Sequence, residues 1–231
     1  GDGTFSESVK ETTNQTSFYG MGVDIADFNN DSYLDYIQVD MDAKDNRRSK
    51  ANMASMNPDL FWSTVNYGFH YQYMHNTLQL NRRIEGNKPF FSNISRLSGI
   101  SSTDWSWGPL LADLDNDGWK DLFISNGIRR EINHRDFFND IKLRPMSNDS
   151  LLYYTEQMPS EAIANFTFKN NTDLTFTDVS ESWGLDQKNF SNGATYADLD
   201  NDGDLELIIN NVDQEAQIYR NNSKNNYIKV K

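Results

Sequence analysis

Residues 111–125 read LADLDNDGWKDLFIS: four carboxylates two or four residues apart, an Asn-Asp-Gly turn among them, then a short apolar run. When such a segment curls, side-chain oxygens at its first, third and fifth places converge. The seventh place offers its backbone carbonyl, and the ninth closes the shell from the outgoing strand. Those places hold Asp113, Asp115, Asp117, Trp119 and Asp121. Gly118, in sixth place, takes the left-handed backbone that the bend requires. Six to eight oxygen ligands suit Ca2+, whereas Mg2+ keeps more water and Zn2+ favours His or Cys. The carboxylates repel one another until a cation sits among them, so Ca2+ is the expected cofactor.

The arrangement recurs on both sides. Residues 1–41, 87–127 and 172–212 superpose without a gap, and Asp27, Asp113 and Asp198 head their loops at spacings of 86 and 85 residues. Loop 1 offers Asp27, Asn29, Asp31, Tyr33 and Asp35; loop 3 offers Asp198, Asp200, Asp202, Asp204 and Glu206. Two to three ions are expected. Asn29 is a neutral ligand and Ser32 stands where the other loops have glycine, so loop 1 should bind most weakly. An EF-hand needs an acidic residue in twelfth place between helices, and that place holds Gln38, Ile124 and Ile209 on strand-like sequence. A metal-free acidic turn, in which Asp and Asn cap their own backbone, is the plain alternative. Three copies in register weigh against it.

The same superposition aligns Phe5, Phe91 and Phe176, then Tyr19, Trp105 and Phe190, then Gly22, Gly108 and Gly193. YADLD (196–200) enters the third turn and DLELIINN (204–211) leaves it, which reads as a β-hairpin. Further short strands follow at NTLQLN (76–81), NFTFKNN (165–171) and AQIYRNN (216–222), each ending in Asn, and at FFSNIS (90–95) and TFTDVS (175–180). Four short strands repeated along a chain are the signature of β-propeller blades. The predicted fold is therefore all-β with short helical insertions, a partial β-propeller of about three four-stranded blades within one repeat domain over residues 1–231. Residues 1–10 are read as the last strand of a preceding blade. Blade one spans 18–96 with an insertion at about 42–74, blade two spans 104–180 with an insertion at about 128–163, and blade three spans 190–231. A closed propeller has four to eight blades, so a fragment of a larger one is expected, with neighbouring blades or domains as partners. Within the insertions, Pro58 and Asp59 mark a helix start.

The strings DLDNDGWKDLFISNG and DLDNDGDLELIINN resemble FG-GAP or VCBS repeats, the calcium-loop blades of integrin α-subunit propellers. NTLQLN, TDWSWGPLLADLDNDGWKDLFISNGI and RDFFND resemble bacterial relatives of cartilage acidic protein, in which an ASPIC/UnbV domain follows the propeller; there, a segment like NNYIKVK begins that next domain. The resemblance implies an extracellular, periplasmic or outer-membrane-surface propeller that holds Ca2+ and recognises a protein or glycan without catalysis.

Bulk properties agree with such a partner. The chain has 231 residues, 37% of them hydrophobic, and a net charge of -13, which argues against nucleic acid or an anionic membrane as ligand. No apolar run is long enough for membrane insertion. The absence of cysteine excludes disulfides and thiolate metal sites. His70, His75 and His134 fit no metal-ligand spacing, and no serine elbow or phosphate loop is present. Trp105 recurs as bulk and is expected in the core. Trp62, Tyr67, Tyr71 and Tyr73 are the candidates for an exposed binding face. The rival to a recognition module is a polysaccharide lyase or glycoside hydrolase with its reactive residues in the insertions.

Overall fold

A computed structural model describes residues 2–53, 56–83, 89–144 and 148–225. The chain opens with α1 (Val9–Thr12), β1 (Thr16–Ser17), β2 (Val23–Ala26), β3 (Asp35–Gln38) and β4 (Met41–Asp42). The first insertion adds α2 (Asn46–Ala51), α3 (Pro58–Asn66) and β5 (Gln72–Tyr73), before β6 (Thr77–Asn81) and β7 (Phe91–Asn93). The middle of the chain gives β8 (Asp104–Ala112) and β9 (Asp121–Asn126), then α4 (Arg135–Ile141), α5 (Asn148–Glu156) and β10 (Ile163–Ala164) in the second insertion, then β11 (Phe166–Asn170) and β12 (Phe176–Asp178). The last unit holds β13 (Lys188–Asn189), β14 (Ser191–Ala197), β15 (Glu206–Asn211) and β16 (Gln217–Tyr219).

The protein is mostly β, and its larger sheets are antiparallel meanders taken in chain order. Sheet 1 runs β2-β3-β6-β7, sheet 2 runs β8-β9-β11-β12 with β4 added beside β8, and sheet 3 runs β14-β15-β16. In each, an acidic turn joins the first two strands. Two small pairings are added: β1 lies parallel to β5 within the first unit, and β10 lies antiparallel to β13, tying the second insertion to the last unit.

Strand alternation explains how the sheets stack. Every residue of β9 is buried. Leu122 and Ile124 face one way and join Phe28, Ile37, Leu78 and Ile100 of the first unit, while Phe123 faces the other and joins Leu114, Leu185, Leu207 and Ile209. Sheet 2 is thus covered on both faces, and its second strand carries three consecutive apolar residues, Leu122, Phe123 and Ile124, for that reason. Truncating Phe123 to alanine would cost about 3–5 kcal/mol. The first two units approach so closely that a Cβ on Gly22 would lie 2.3 Å from the Trp107 carbonyl.

The insertions contain the expected short helices. Asn57 caps α3 by accepting from the Asp59 and Leu60 N–H groups, with Pro58 in the first turn. Asp45 caps α2, and His134 Nδ1 accepts from the Phe137 N–H at the start of α4. Met41, Ala43 and Met53 pack with Trp105 in a third apolar cluster, as its recurrent bulk predicts. Trp107 is half-buried and donates to the Gly127 carbonyl.

Two expectations on strands read differently in the structure. Residues 2–8 lie in no sheet and residues 9–12 form α1, so no strand is described over 2–10 and Phe5 is fully exposed. Its counterparts Phe91 and Phe176 sit in strands because β6 and β11 offer each an edge to pair with. Sheet 3 has three strands among the described residues, and positions 226–231 lie outside them.

Candidate metal centres

Loops 1 and 2 fold around their first carboxylates, whereas in loop 3 the Asp202 N–H donates to Asp200. In loop 1, Asp27 accepts from the Asp31 and Ser32 N–H groups at 3.0 and 2.8 Å; in loop 2, Asp113 accepts from Asp117 and Gly118 at 3.0 and 2.9 Å. The fourth-place residues Asn30, Asn116 and Asn201 have φ of 56°, 56° and 64°. The sixth-place residues Ser32, Gly118 and Gly203 have 71°, 90° and 95°. Ser32 therefore does carry left-handed strain, about 1 kcal/mol.

The ninth-place acid ties the loop to the sheet. Asp121 accepts from the Leu114 N–H at 3.1 Å and the Asn170 N–H at 3.0 Å; Asp35 does the same for Phe28 and Asn81, and Glu206 for Leu199 and Asn221. Asn81 and Asn170 end β6 and β11, Asn221 lies two residues past β16, and their side-chain amides donate to the carbonyls of Leu34, Lys120 and Leu205 in their own loops. The Asn that closes each of these segments was visible in the sequence. Its task as a strap was not, because the groups it holds are backbone atoms.

The acidic oxygens converge in two loops. Asp113, Asp115 and Asp121 bring one oxygen each within 4.8 Å of one another, as do Asp198, Asp200 and Glu206, and also Asp200, Asp202 and Asp204. No such group of three forms in loop 1 from Asp27, Asp31 and Asp35. Tyr33, Trp119 and Asp204 occupy the seventh place, and each N–H donates to the fifth-place Asp of its loop, at 2.9, 3.0 and 3.2 Å.

These turn bonds would form with or without a cation, so they decide nothing. Asp204 does. Its side chain is buried in the loop-3 cluster, and Oδ1 has no hydrogen-bond partner. A buried carboxylate oxygen left without a donor costs free energy that a hard cation would recover. All-oxygen donors, several of them anionic, fit Ca2+.

Electrostatics carry the same message. Burial pushes Asp35 up to about 6 and Asp121 up to about 7, with nearby loop aspartates adding to the effect. Asp204 is pushed up to about 6 by its hydrogen bond with Asp202, then by burial. Each loop is also answered by a basic side chain near its third strand. The Lys169 ammonium contacts Asp115 and lies 2.8 Å from Asp117, Arg220 lies 3.2 Å from Asp200, and Arg83 lies 3.5 Å from Asp31.

A second charged cluster joins the insertions. The guanidinium of buried Arg48 donates to Asp104 at 2.5 and 2.8 Å, to Glu131 at 2.9 Å and to Glu161 at 3.0 Å. It clasps α2 to β8 and to the second insertion. Sequence reasoning missed it because its members lie far apart along the chain.

A catalytic reading would need a cleft lined by the insertions. A cavity of about 440 Å3 lies between sheets 2 and 3, walled by Leu114, Trp183, Leu185, Leu207 and Tyr219, and a small one of about 30 Å3 is lined by Met56, Asn57, Leu60 and Phe61 of the first insertion with Phe18 and Tyr19. By repeat position and strand register, four walls of the larger cavity match Phe28, Ile100, Leu122 and Phe168, which surround Phe176 one unit earlier. The aromatic candidates of the first insertion divide: Trp62, Tyr67 and Tyr71 are exposed, while Tyr73 is half-buried. Phe61 lies beneath them, 5.2 Å from Trp62 and 6.3 Å from Tyr71 between ring centroids. Searches of protein-family models and of curated proteins found no match to this chain.

Proposed function

We propose that this chain is a Ca2+-binding, non-enzymatic recognition module of the FG-GAP/VCBS kind, a partial β-propeller whose three stacked sheets are its blades. The carrying observation is the buried, unpartnered Asp204 Oδ1 inside a cluster of loop-3 carboxylates. Ca2+ here is structural: it offsets the mutual repulsion of the acids, so its binding free energy becomes folding free energy. Asp113, Asp115, Asp117 and Asp121 would hold one ion, and Asp198, Asp200, Asp202, Asp204 and Glu206 another. Loop 1 would bind last, in line with its unconverged acids.

The exposed Trp62, Tyr67 and Tyr71 provide the recognition face, stiff amphipathic rings of the sort that stack on a sugar or seat a protein hot spot. Millimolar Ca2+ outside the cell membrane supports an extracellular, periplasmic or outer-membrane-surface setting, and no helix among the described residues is long and apolar enough to cross a membrane. The test is a titration with Tb3+, excited through Trp119 of loop 2, followed by displacement with Ca2+. Saturable sensitised emission that Ca2+ reverses is the expected result. Absence of emission together with a melting temperature indifferent to Ca2+ would overturn the reading.

A further inference from the structure

Loop 3 carries more negative charge than its counterparts, and the surplus traces to one position. Loop 1 holds three acids, Asp27, Asp31 and Asp35, and loop 2 holds four, Asp113, Asp115, Asp117 and Asp121. Loop 3 holds five, because Asp204 stands where the other loops have Tyr33 and Trp119. Each loop is answered by one basic side chain of its own unit, Arg83, Lys169 or Arg220. One Ca2+ per loop would therefore neutralise loop 1, leave loop 2 with one negative charge and leave loop 3 with two.

The oxygens of loop 3 divide in the same way. Asp198, Asp200 and Glu206, in first, third and ninth place, bring one oxygen each within 4.8 Å of one another, as Asp113, Asp115 and Asp121 do in loop 2. Asp200, Asp202 and Asp204 make a separate group at the same spacing, and no such group forms from the matching places of loop 2. Only Asp200 belongs to both groups. An ion seated among the first, third and ninth places thus leaves Asp204 to one side. Burial marks that residue as more than part of an acidic surface. Asp204 is 5% exposed, where Tyr33 in the same place of loop 1 is 41% exposed, and its Oδ1 has no hydrogen-bond partner. A carboxylate oxygen turned inward without a donor costs free energy that a cation among the three side chains would recover.

We infer that loop 3 is a two-ion site, in which a second Ca2+ seats among Asp200, Asp202 and Asp204 and shares Asp200 with the first. The inference rests on the Ca2+ reading of the loops and adds the count. Three carboxylates supply three to six oxygens; Asp200 and Asp202 are exposed, so water completes the six to eight that Ca2+ takes. A shared carboxylate sets two ions roughly 4 Å apart. They repel each other, and the outer, more hydrated ion fills second. With both bound, the five acids and Arg220 come to neutrality. A single ion held by all five acids would instead need Asp204 and Glu206 in one group, and they fall in different ones.

The experiment is equilibrium dialysis against radioactive Ca2+, from micromolar to millimolar, with wild type, Asp204→Asn and Asp202→Asn. Each substitution keeps the side-chain shape and removes an anionic ligand of the outer ion, and circular dichroism confirms folding. Asp202 is exposed, so its variant carries the test even if buried Asp204 does not tolerate change. Each folded variant should bind one ion fewer per chain than wild type, with the tighter ions retained. A count that stays at the wild-type value in either folded variant, with one ion merely weakened, would overturn the inference and leave the Ca2+ reading of the loops standing. Wild type that binds no Ca2+ would overturn both.

Discussion

Lowering pH in the presence of a chelator should stabilise this protein, and the ninth-place acids give the size of the effect. Asp35 and Asp121 are fully buried, and burial holds them at about 6 and about 7 against an ordinary 3.8. A raised carboxyl means that the folded chain binds the proton more tightly than the unfolded chain. That stability is complete below about 3.8 and is lost as pH rises through the folded values. Between pH 5 and 8, Asp121 loses roughly 3 kcal/mol and Asp35 roughly 1, which in a chain of this length lowers the melting temperature by on the order of 10 °C. His75 acts in the opposite sense. Burial first, then Arg96, depress its imidazole, so its share of stability is lost as pH falls below about 6.5. The Asp121→Asn variant separates the two, since it removes one contribution and keeps the other. Urea unfolding at pH 5, 6, 7 and 8, with chelator and then with saturating Ca2+, is the assay. Because the cation needs ionised ligands, the Ca2+ increment should be small at pH 5 and largest at pH 8. Apo stability that stays flat or rises toward pH 8, with Asp121→Asn behaving as wild type, would refute the reasoning.

Three further outcomes are expected. Ser32→Gly relieves a φ of 71° and should stabilise the chain by about 1 kcal/mol in urea melts, while tightening cation binding at loop 1 in calorimetry. Lys169→Met removes an ammonium that competes for Asp115 and Asp117, so Ca2+ affinity at loop 2 should rise several-fold at unchanged stoichiometry; weaker binding would show that the lysine assembles the loop instead. Arg48→Met leaves Asp104 and Glu131 buried without their counter-charge and should cost about 3–5 kcal/mol, read by urea denaturation.

The parts legible in the sequence are those whose physics is local. Loop ligands fall within nine residues of one another, so spacing alone placed Asp113, Asp115 and Asp121 together. The start of α3 was equally plain from Pro58 and Asp59, although the capping residue itself, Asn57, emerged only in the structure. The short apolar run of β9, Leu122, Phe123 and Ile124, was visible too, but that both faces of sheet 2 are covered emerged only in the structure. What stayed hidden acts across distance. Lys169 reaches Asp115 from 54 positions away, and Arg48 reaches Glu131 across 83. Neither partner carries a local mark of its contact. Residues 1–10 illustrate a different limit: their likeness to later strands is real, but a strand exists only where an edge pairs with it, and Phe5 has none among the described residues.

The repeat also explains why charge is concentrated at one rim. A hairpin turn packed against its neighbours must bury its ninth-place acid, because that carboxylate holds the second-place N–H of its own loop and the strap Asn of the third strand at once. Replacing it with an apolar residue would leave both donors unanswered in the interior, so the acid is demanded by backbone geometry before any cation is considered. Once it is there, ionisation in a buried site is costly, and aspartates at places one, three and five turn that cost into a binding site. The strap then passes the effect along the stack. Asn170 fixes the ninth-place acid of loop 2 with its N–H and the Phe28 carbonyl of loop 1 with its side chain. Ordering one loop therefore restrains the next, and cation affinity and sheet packing become two expressions of the same joint.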